Sequence, residues 1–229
     1  MNGSSGWLEA REVVVLFGRR LLAERLVYFT AGNISMRIRD DPDLVAVTPA
    51  STPYDTMRPE DVVIVRIDGR VVDGIRRPTS ELPLHTLAYA RRPDVGGVVH
   101  THSAAAMAVA ALGIGIPPIL HGLVSACGGG IVTAPYARGG TSEVAEFTAS
   151  ALRDRSACLL RNHGVLAIGP TVDHAYNAAS VVEGAADAYL RAMAVRPVPQ
   201  ISPDEVERIR REQWAPAWSG RAAAPTHGG

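Results

Sequence analysis

The apolar positions change period several times along the chain, and each change marks an element. Leu8, Val15, Leu22 and Leu26 recur at helical spacing with Arg11, Glu12, Arg19 and Glu24 among them, which predicts an amphipathic helix over residues 7–26. Gly32-Asn33 is a turn signal, and the residues after it alternate as a strand through Arg37. Residues 44–48 form a short apolar strand. Prolines and hydroxyls make residues 48–54 a loop. Residues 62–67, the Asp68-Gly69 turn and Val71-Val72 carry a hairpin signature. Pro78-Thr79-Ser80-Glu81 opens a helix reaching about Arg91, with Thr79 or Ser80 as N-cap and Glu81 in the first turn. The valines at 95, 98 and 99 then lead a strand into His100-Thr101-His102.

Beyond that strand an alanine-rich helix covers residues 103–112. Residues 119–121 and 131–133 read as short strands on either side of Gly128-Gly129-Gly130. Thr141 or Ser142 caps a helix to about Asp154. Residues 158–160 form a strand that Arg161-Asn162-His163-Gly164 interrupts and residues 165–168 resume. A long helix spans residues 173–194, and residues 204–211 are a charged helical stub. Trp214 and Trp218 stand in a Pro/Gly/Ala-rich tail whose end, residues 221–229, reads as disordered. The alternation of strands and helices argues for one α/β or α+β layered domain over residues 1–200, followed by the helical stub and flexible tail of 201–229.

Composition narrows the chemistry. All 23 basic residues are arginine, balanced by 23 acidic ones. A neutral chain gives no electrostatic reason to bind nucleic acid or an anionic membrane. The absence of lysine removes Schiff-base aldolases, pyridoxal-phosphate enzymes and Walker-type phosphate loops. Cys127 and Cys158 have no paired spacing and read as buried small hydrophobes in a reducing compartment. The apolar tract over residues 104–119 is broken by Gly113, Gly115, Pro117 and Pro118, so it does not read as a membrane span. With no basic, apolar leader in view, a soluble cytoplasmic protein is expected.

Two histidines two residues apart on a strand share a face. His100 and His102 are therefore either a structural pair or two ligands aimed at one metal ion. Of the remaining five histidines, His227 lies in the tail and His174 opens a helix beside Asp173. His85 shares a helix face with Glu81 and reads as a packed residue or one that supports a ligand from behind. His121 sits in a loop or at a strand end near glycines and stays open. His163, between two apolar strand halves and before a glycine able to relieve backbone strain, is the best third ligand. Three histidines with an open position suit a catalytic zinc, and Glu81 nearby could move a proton beside a polarised carbonyl. Asn33, Ser51, Thr79 and Ser80 together with a helix start could cradle an anion without lysine, although each hydroxyl alone reads as a turn or cap. From these residues alone a zinc hydrolase with Glu81 as base is also chemically possible.

As a set, Gly32-Asn33-Ile34-Ser35, residues 48–54, Pro78-Thr79-Ser80-Glu81, His100-Thr101-His102 and residues 161–165 resemble the motif series of the class II aldolase/adducin family, in order and over residues 8–200. Among its members the L-fuculose-1-phosphate aldolases are the most similar. The resemblance implies a three-layer α/β/α fold around a largely antiparallel sheet, and a homotetramer with active sites at subunit interfaces. It implies zinc, or manganese or cobalt, on His100, His102 and His163, with Glu81 as acid/base and possible fourth ligand. Gly32, Asn33, Ala50, Ser51, Thr79 and Ser80 would line a phosphate site. The implied reaction is cleavage of a phosphorylated ketose to dihydroxyacetone phosphate and an aldehyde through a zinc-stabilised enediolate. Two positions depart from the fuculose enzymes: Ala50-Ser51 replaces Thr-Gly, and His121 stands where a tyrosine donates a proton from a neighbouring subunit. These departures leave room for a decarboxylase of a 3-oxo sugar-acid phosphate. A pentulose-phosphate 4-epimerase is a further alternative, against which Glu81 counts because those enzymes carry Asp there. A non-enzymatic adducin-like assembly domain is disfavoured because the histidines and Glu81 are all present.

Overall fold

A computed structural model describes residues 3–219. The tail end at 221–229 and His227 therefore lie outside the described residues. In chain order the elements are α1 (Gly3–Ala23), β1 (Asn33–Ile38), β2 (Asp41–Val47), β3 (Val63–Arg66), β4 (Val71–Asp73), α2 (Leu82–Arg91), β5 (Gly97–Thr101), α3 (Ala104–Leu112), α4 (His121–Cys127), β6 (Thr133–Ala134), α5 (Ser142–Ala151), β7 (Ala157–Leu160), β8 (Gly164–Gly169), α6 (Val172–Met193), α7 (Pro203–Ile209) and α8 (Ala215–Trp218), with a 3-10 turn at Pro59–Asp61 and a π-turn at Arg210–Trp214. The strands form one eight-stranded sheet in the order β4-β3-β2-β1-β5-β8-β7-β6. Every neighbouring pair is antiparallel except β6 with β7.

Helices cover both faces of that sheet. Val165 and Ala167 of β8 pack toward α1, α3, α4 and α6, whereas Leu166 and Ile168 pack toward α2 and α5. Strands buried on both faces need apolar residues at every position, which is why β7 and β8 read as continuous runs rather than as alternations. The result is the three-layer α/β/α arrangement expected above.

Two local expectations fail. Residues 119–121 do not form a strand: Leu120 is an N-cap and His121 begins α4, which ends at Gly128 in the left-handed conformation (φ 81°). Pro117 and Pro118 lack the amide hydrogens a ladder needs, and the strand-like pairing falls instead on Ile116 with Ile131. The N-cap of α2 is Glu81 itself, with Pro83 in the first turn, not Thr79 or Ser80. The Thr79 hydroxyl instead accepts the Glu81 amide at 3.3 Å, a local turn that competes with a helix cap.

The C-terminal segment packs onto the body. Trp214 donates its indole N–H to the Ser156 hydroxyl at 2.7 Å, and its ring lies where a side chain at Gly128 would sit. Arg92 stacks on the Trp218 ring, 4.4 Å from its centre. Both tryptophans thus have packing roles within their own chain. Among the described residues no helix is long and apolar enough to cross a membrane.

Candidate metal centre

Alternation along β5 puts Val98 and His100 on the sheet face that α2 covers. His102 follows two residues later, on the same side. The helix after it is held by Glu183 of α6, whose carboxylate accepts the amides of Ala105 and Ala106 at 2.9 and 2.8 Å. That carboxylate does the capping that the buried Ser103 hydroxyl does not, and a carboxylate at a helix start is favoured by the helix dipole. The turn between β7 and β8 brings in His163, and the start of α2 brings in Glu81.

The four side chains meet at one point. Glu81 Oε2 lies 2.9 Å from His100 Nε2, and Glu81 Oε1 lies 3.2 Å from His163 Nε2. His102 Nε2 is 2.9 Å from His100 Nε2. Four ligand atoms, one from each residue, all fall within 4.8 Å of one another. His100 and Glu81 are buried, while His102 and His163 are half-buried.

The donor set fits a divalent metal ion. His100 Nδ1 donates to the Val165 carbonyl at 2.7 Å, which leaves Nε2 as the ring nitrogen whose lone pair can ligate. That lone pair faces another imidazole nitrogen and a carboxylate oxygen, an arrangement a shared cation satisfies. Ligands about 2.0–2.1 Å from a tetrahedral ion stand about 3.3 Å apart, close to the three separations of 2.9, 3.2 and 2.9 Å given above. Burial would raise the Glu81 pKa, but His100 and His163 outweigh it and hold the carboxyl well below the usual range. Burial, reinforced by His100 and His163, lowers the His102 pKa to about 3. Neutral imidazoles and an ionised carboxylate are the forms that bind metal.

Gly164 serves this geometry differently from the expectation. The left-handed residue in the turn is Asn162 (φ 56°). Gly164 matters for space: a Cβ there would sit 2.3 Å from the Thr101 carbonyl oxygen, 3.0 Å from His102 Cδ2 and 3.3 Å from His100 Cε1. Gly32, at φ 72°, has its own close approach, because a Cβ would meet the His100 carbonyl oxygen at 2.6 Å.

The three loops named for phosphate converge beside the cluster. Pro49 bridges Pro78, the Ala50 amide donates to Arg77 O at 2.9 Å, and the Thr79 amide donates to Thr48 O at 3.0 Å. Those two amides are therefore spent on joining the loops. Ser51 (φ 54°) and Ser80 are exposed, whereas Thr79 is buried. Asn33 pairs with His100 across β1 and β5, and its side-chain amide donates to Glu81 Oε2 at 3.1 Å. His121 is not part of this cluster within the chain: its Nε2 stands 3.2 Å from the Gln213 side-chain nitrogen at the C-terminal segment. Sequence reading missed Gly139 and Gly140. A Cβ at Gly139 would come 3.1 Å from Glu81 Oε1, and one at Gly140 would come 2.8 Å from Ser80 O. The glycine doublet just before the Thr141 cap was the available signal.

Residues 12–190 match the family model described as the class II aldolase and adducin N-terminal domain. The chain belongs to the class II aldolase and adducin family. One relative is a 5-deoxy-D-ribulose 1-phosphate aldolase of Bacillus thuringiensis serovar kurstaki, 35% identical over 202 residues that cover 88% of this chain and 94% of that protein. Another is an L-fuculose phosphate aldolase of Escherichia coli K12, 38% identical over 178 residues, 77% of this chain and 81% of that one. A solved L-fuculose 1-phosphate aldolase superposes with a TM-score of 0.85 at 30% identity, covering 89% of this chain and 95% of the other. Aldolases of this class are metal-dependent lyases, and the Glu81-His100-His102-His163 group could hold the ion in this one.

Proposed function

We propose that this class II aldolase cleaves a ketose 1-phosphate into dihydroxyacetone phosphate and an aldehyde. The observation that carries the reading is the convergence of Glu81, His100, His102 and His163 beside the loops of Gly32-Asn33, Ala50-Ser51 and Thr79-Ser80. Two candidate substrates are supported by the relatives, an L-fuculose 1-phosphate and a 5-deoxyribulose 1-phosphate.

In this reading His100, His102 and His163 hold a divalent ion, with zinc as the first candidate and manganese or cobalt as alternatives. The ion, when bound, supplies Lewis acidity to the carbonyl and hydroxyl oxygens of the substrate. Glu81, able to ligate at rest, exchanges the proton at the carbon of the dihydroxyacetone phosphate half. The exposed hydroxyls of Ser51 and Ser80 and the backbone at Gly32 receive the phosphate, with Asn33, Ala50 and Thr79 shaping the loops. Because His121 lies outside its own chain's cluster, an imidazole that accepts the proton of the hydroxyl becoming the aldehyde, and returns it in the condensation direction, would come from a neighbouring copy, as in a homotetramer with interface sites.

The test is a panel of phosphorylated ketoses assayed for aldehyde release, together with exchange of dihydroxyacetone phosphate protons in deuterium oxide. Glu81→Gln should keep the metal and lose exchange, and His121→Phe should keep exchange but slow cleavage. Carbon dioxide release from a 3-oxo sugar-acid phosphate, without aldehyde from any ketose, would replace the aldolase reading with a decarboxylase. Full exchange by Glu81→Gln would remove Glu81 from the role.

A further inference from the structure

Behind Glu81 runs a line of buried polar groups of which the cleavage reading uses only Asn33, as a residue shaping a loop. Glu81, His85 and Tyr89 lie four residues apart along one side of α2, and Asn33 and Ser35 lie two apart on the facing side of β1. Four helical residues advance about 6 Å and two strand residues about 6.8 Å, so the two series keep step and interleave. Asn33 Nδ2 is 3.1 Å from Glu81 Oε2, and His85 Nε2 is 2.5 Å from Asn33 Oδ1. His85 Nδ1 is 2.6 Å from Ser35 Oγ, which is 2.9 Å from the Tyr89 hydroxyl. Asn33 is 4% exposed, Tyr89 1%, and Ser35 and His85 0%, so solvent has no part in satisfying them.

The directions of these bonds follow from one end. An ionised Glu81 only accepts, so Asn33 must turn its amide NH2 toward it and its carbonyl toward His85. His85 Nε2 must then carry the hydrogen. Burial, with the nearby His100 adding to it, lowers the His85 pKa to about 3, so the ring is neutral and its Nδ1 is bare. Nδ1 therefore accepts the Ser35 hydroxyl, and Ser35 Oγ accepts the Tyr89 hydroxyl. Every donor in the line points toward Glu81.

We propose that His85 is a positioning residue that locks Asn33 in the one amide orientation able to donate to Glu81, and so fixes how the carboxylate faces His100 and the metal position. With the Nε2–H removed, the Asn33 carbonyl loses its donor and Glu81 alone is left to oppose an amide flip. A flipped Asn33 would set its carbonyl oxygen against Glu81 Oε2 and push the carboxylate off its place. The inference rests on the reading of Glu81 as a metal-site residue, but the polarity of the line can be tested apart from it.

The experiment uses the full-length protein in two arms. In the first, nitrogen NMR of metal-free wild type reads the His85 tautomer near neutral pH. Hydrogen on Nε2 with bare Nδ1 is expected; hydrogen on Nδ1 overturns the proposal whether or not the protein binds metal. In the second, zinc affinity is measured by chelator competition, alongside kcat and KM on whichever ketose phosphate the wild type cleaves. Gln at position 85 can place its NH2 where Nε2 stands, whereas Asn is too short and Leu has no donor. His85→Leu and His85→Asn should each weaken zinc about 10–100-fold and lower kcat more than they raise KM, while His85→Gln recovers most of both. Asn33→Ala should reproduce the His85→Leu loss if that variant fails to fold. Equal zinc affinity in the folded Leu, Asn and Gln variants would reduce His85 to a packing residue. A wild type that takes up no zinc, manganese or cobalt refutes the metal reading instead, and the tautomer still decides the polarity.

Discussion

Gly164→Ala is the sharpest test of how the centre is built. An added methyl at a strand residue of negative φ ordinarily stabilises, by about 0.5–1 kcal/mol, because alanine loses less entropy on folding than glycine. Gly164 is buried at the start of β8, and its φ is not in the left-handed region. Here the methyl would sit 2.3 Å from the Thr101 carbonyl oxygen. Carbon and oxygen settle near about 3.3 Å, so roughly 1 Å must come from backbone. Both sides are held by the ladder that pairs Thr101 with Val165 and Leu160 with Gly164. The steric cost of such overpacking is about 1–3 kcal/mol, enough to reverse the sign of the entropic gain. Since the same methyl contacts His102 Cδ2 and His100 Cε1, zinc affinity should fall by at least about tenfold. Gly184→Ala is the matched control: Gly184 lies within α6 and an added Cβ meets nothing within 4 Å. It should raise stability by about 0.5–1 kcal/mol, or a few degrees in melting temperature. Urea unfolding of both metal-free variants, with chelator competition for Gly164→Ala, reads the result. The reasoning fails if Gly164→Ala matches wild type within about 0.5 kcal/mol and binds zinc equally well.

Two further outcomes follow from buried titratable groups. The unfolded chain protonates His85 near its ordinary value of 6.5, while the folded one refuses the proton until about 3. This contribution is therefore intact above about pH 6.5 and is lost as pH falls, at up to about 1.4 kcal/mol per unit. His102, also lowered to about 3, acts in the same direction. Urea midpoints of the metal-free protein should thus drop between about pH 7 and pH 5, and a flat profile would contradict it. Burial pushes the Cys127 and Cys158 thiols up to about 12, so neither should react with a thiol reagent until denaturant is added. Fast labelling of the native protein would show that one of them is reachable.

The legibility of the site depended on how local each signal was. His100 and His102 were readable because strand alternation is a rule of one chain segment, and His163 because an imidazole and a glycine interrupting an apolar strand have few other uses. His85 was recognisable as a neighbour of Glu81 on one helix face, but its partners were not, since Asn33 and Ser35 lie 52 and 50 residues away and meet it only when β1 enters the sheet. Residues 119–121 were misread as a strand because a three-residue apolar run has no period of its own, and the glycine that closes α4 lies seven residues beyond His121.

The sequence by itself determined most of the element order and brought forward His100, His102, His163 and Glu81 as candidates for one metal site, because each depends on local period, turn chemistry or ligand type. Tertiary structure alone decided that the Ala50 and Thr79 amides join loops, that the Asn33 side chain serves Glu81, that His121 stands apart from its own chain's centre, and that Gly164 is a matter of space. These four facts depend on which strands become neighbours, and that pairing is settled by the burial of the whole sheet rather than by any one segment.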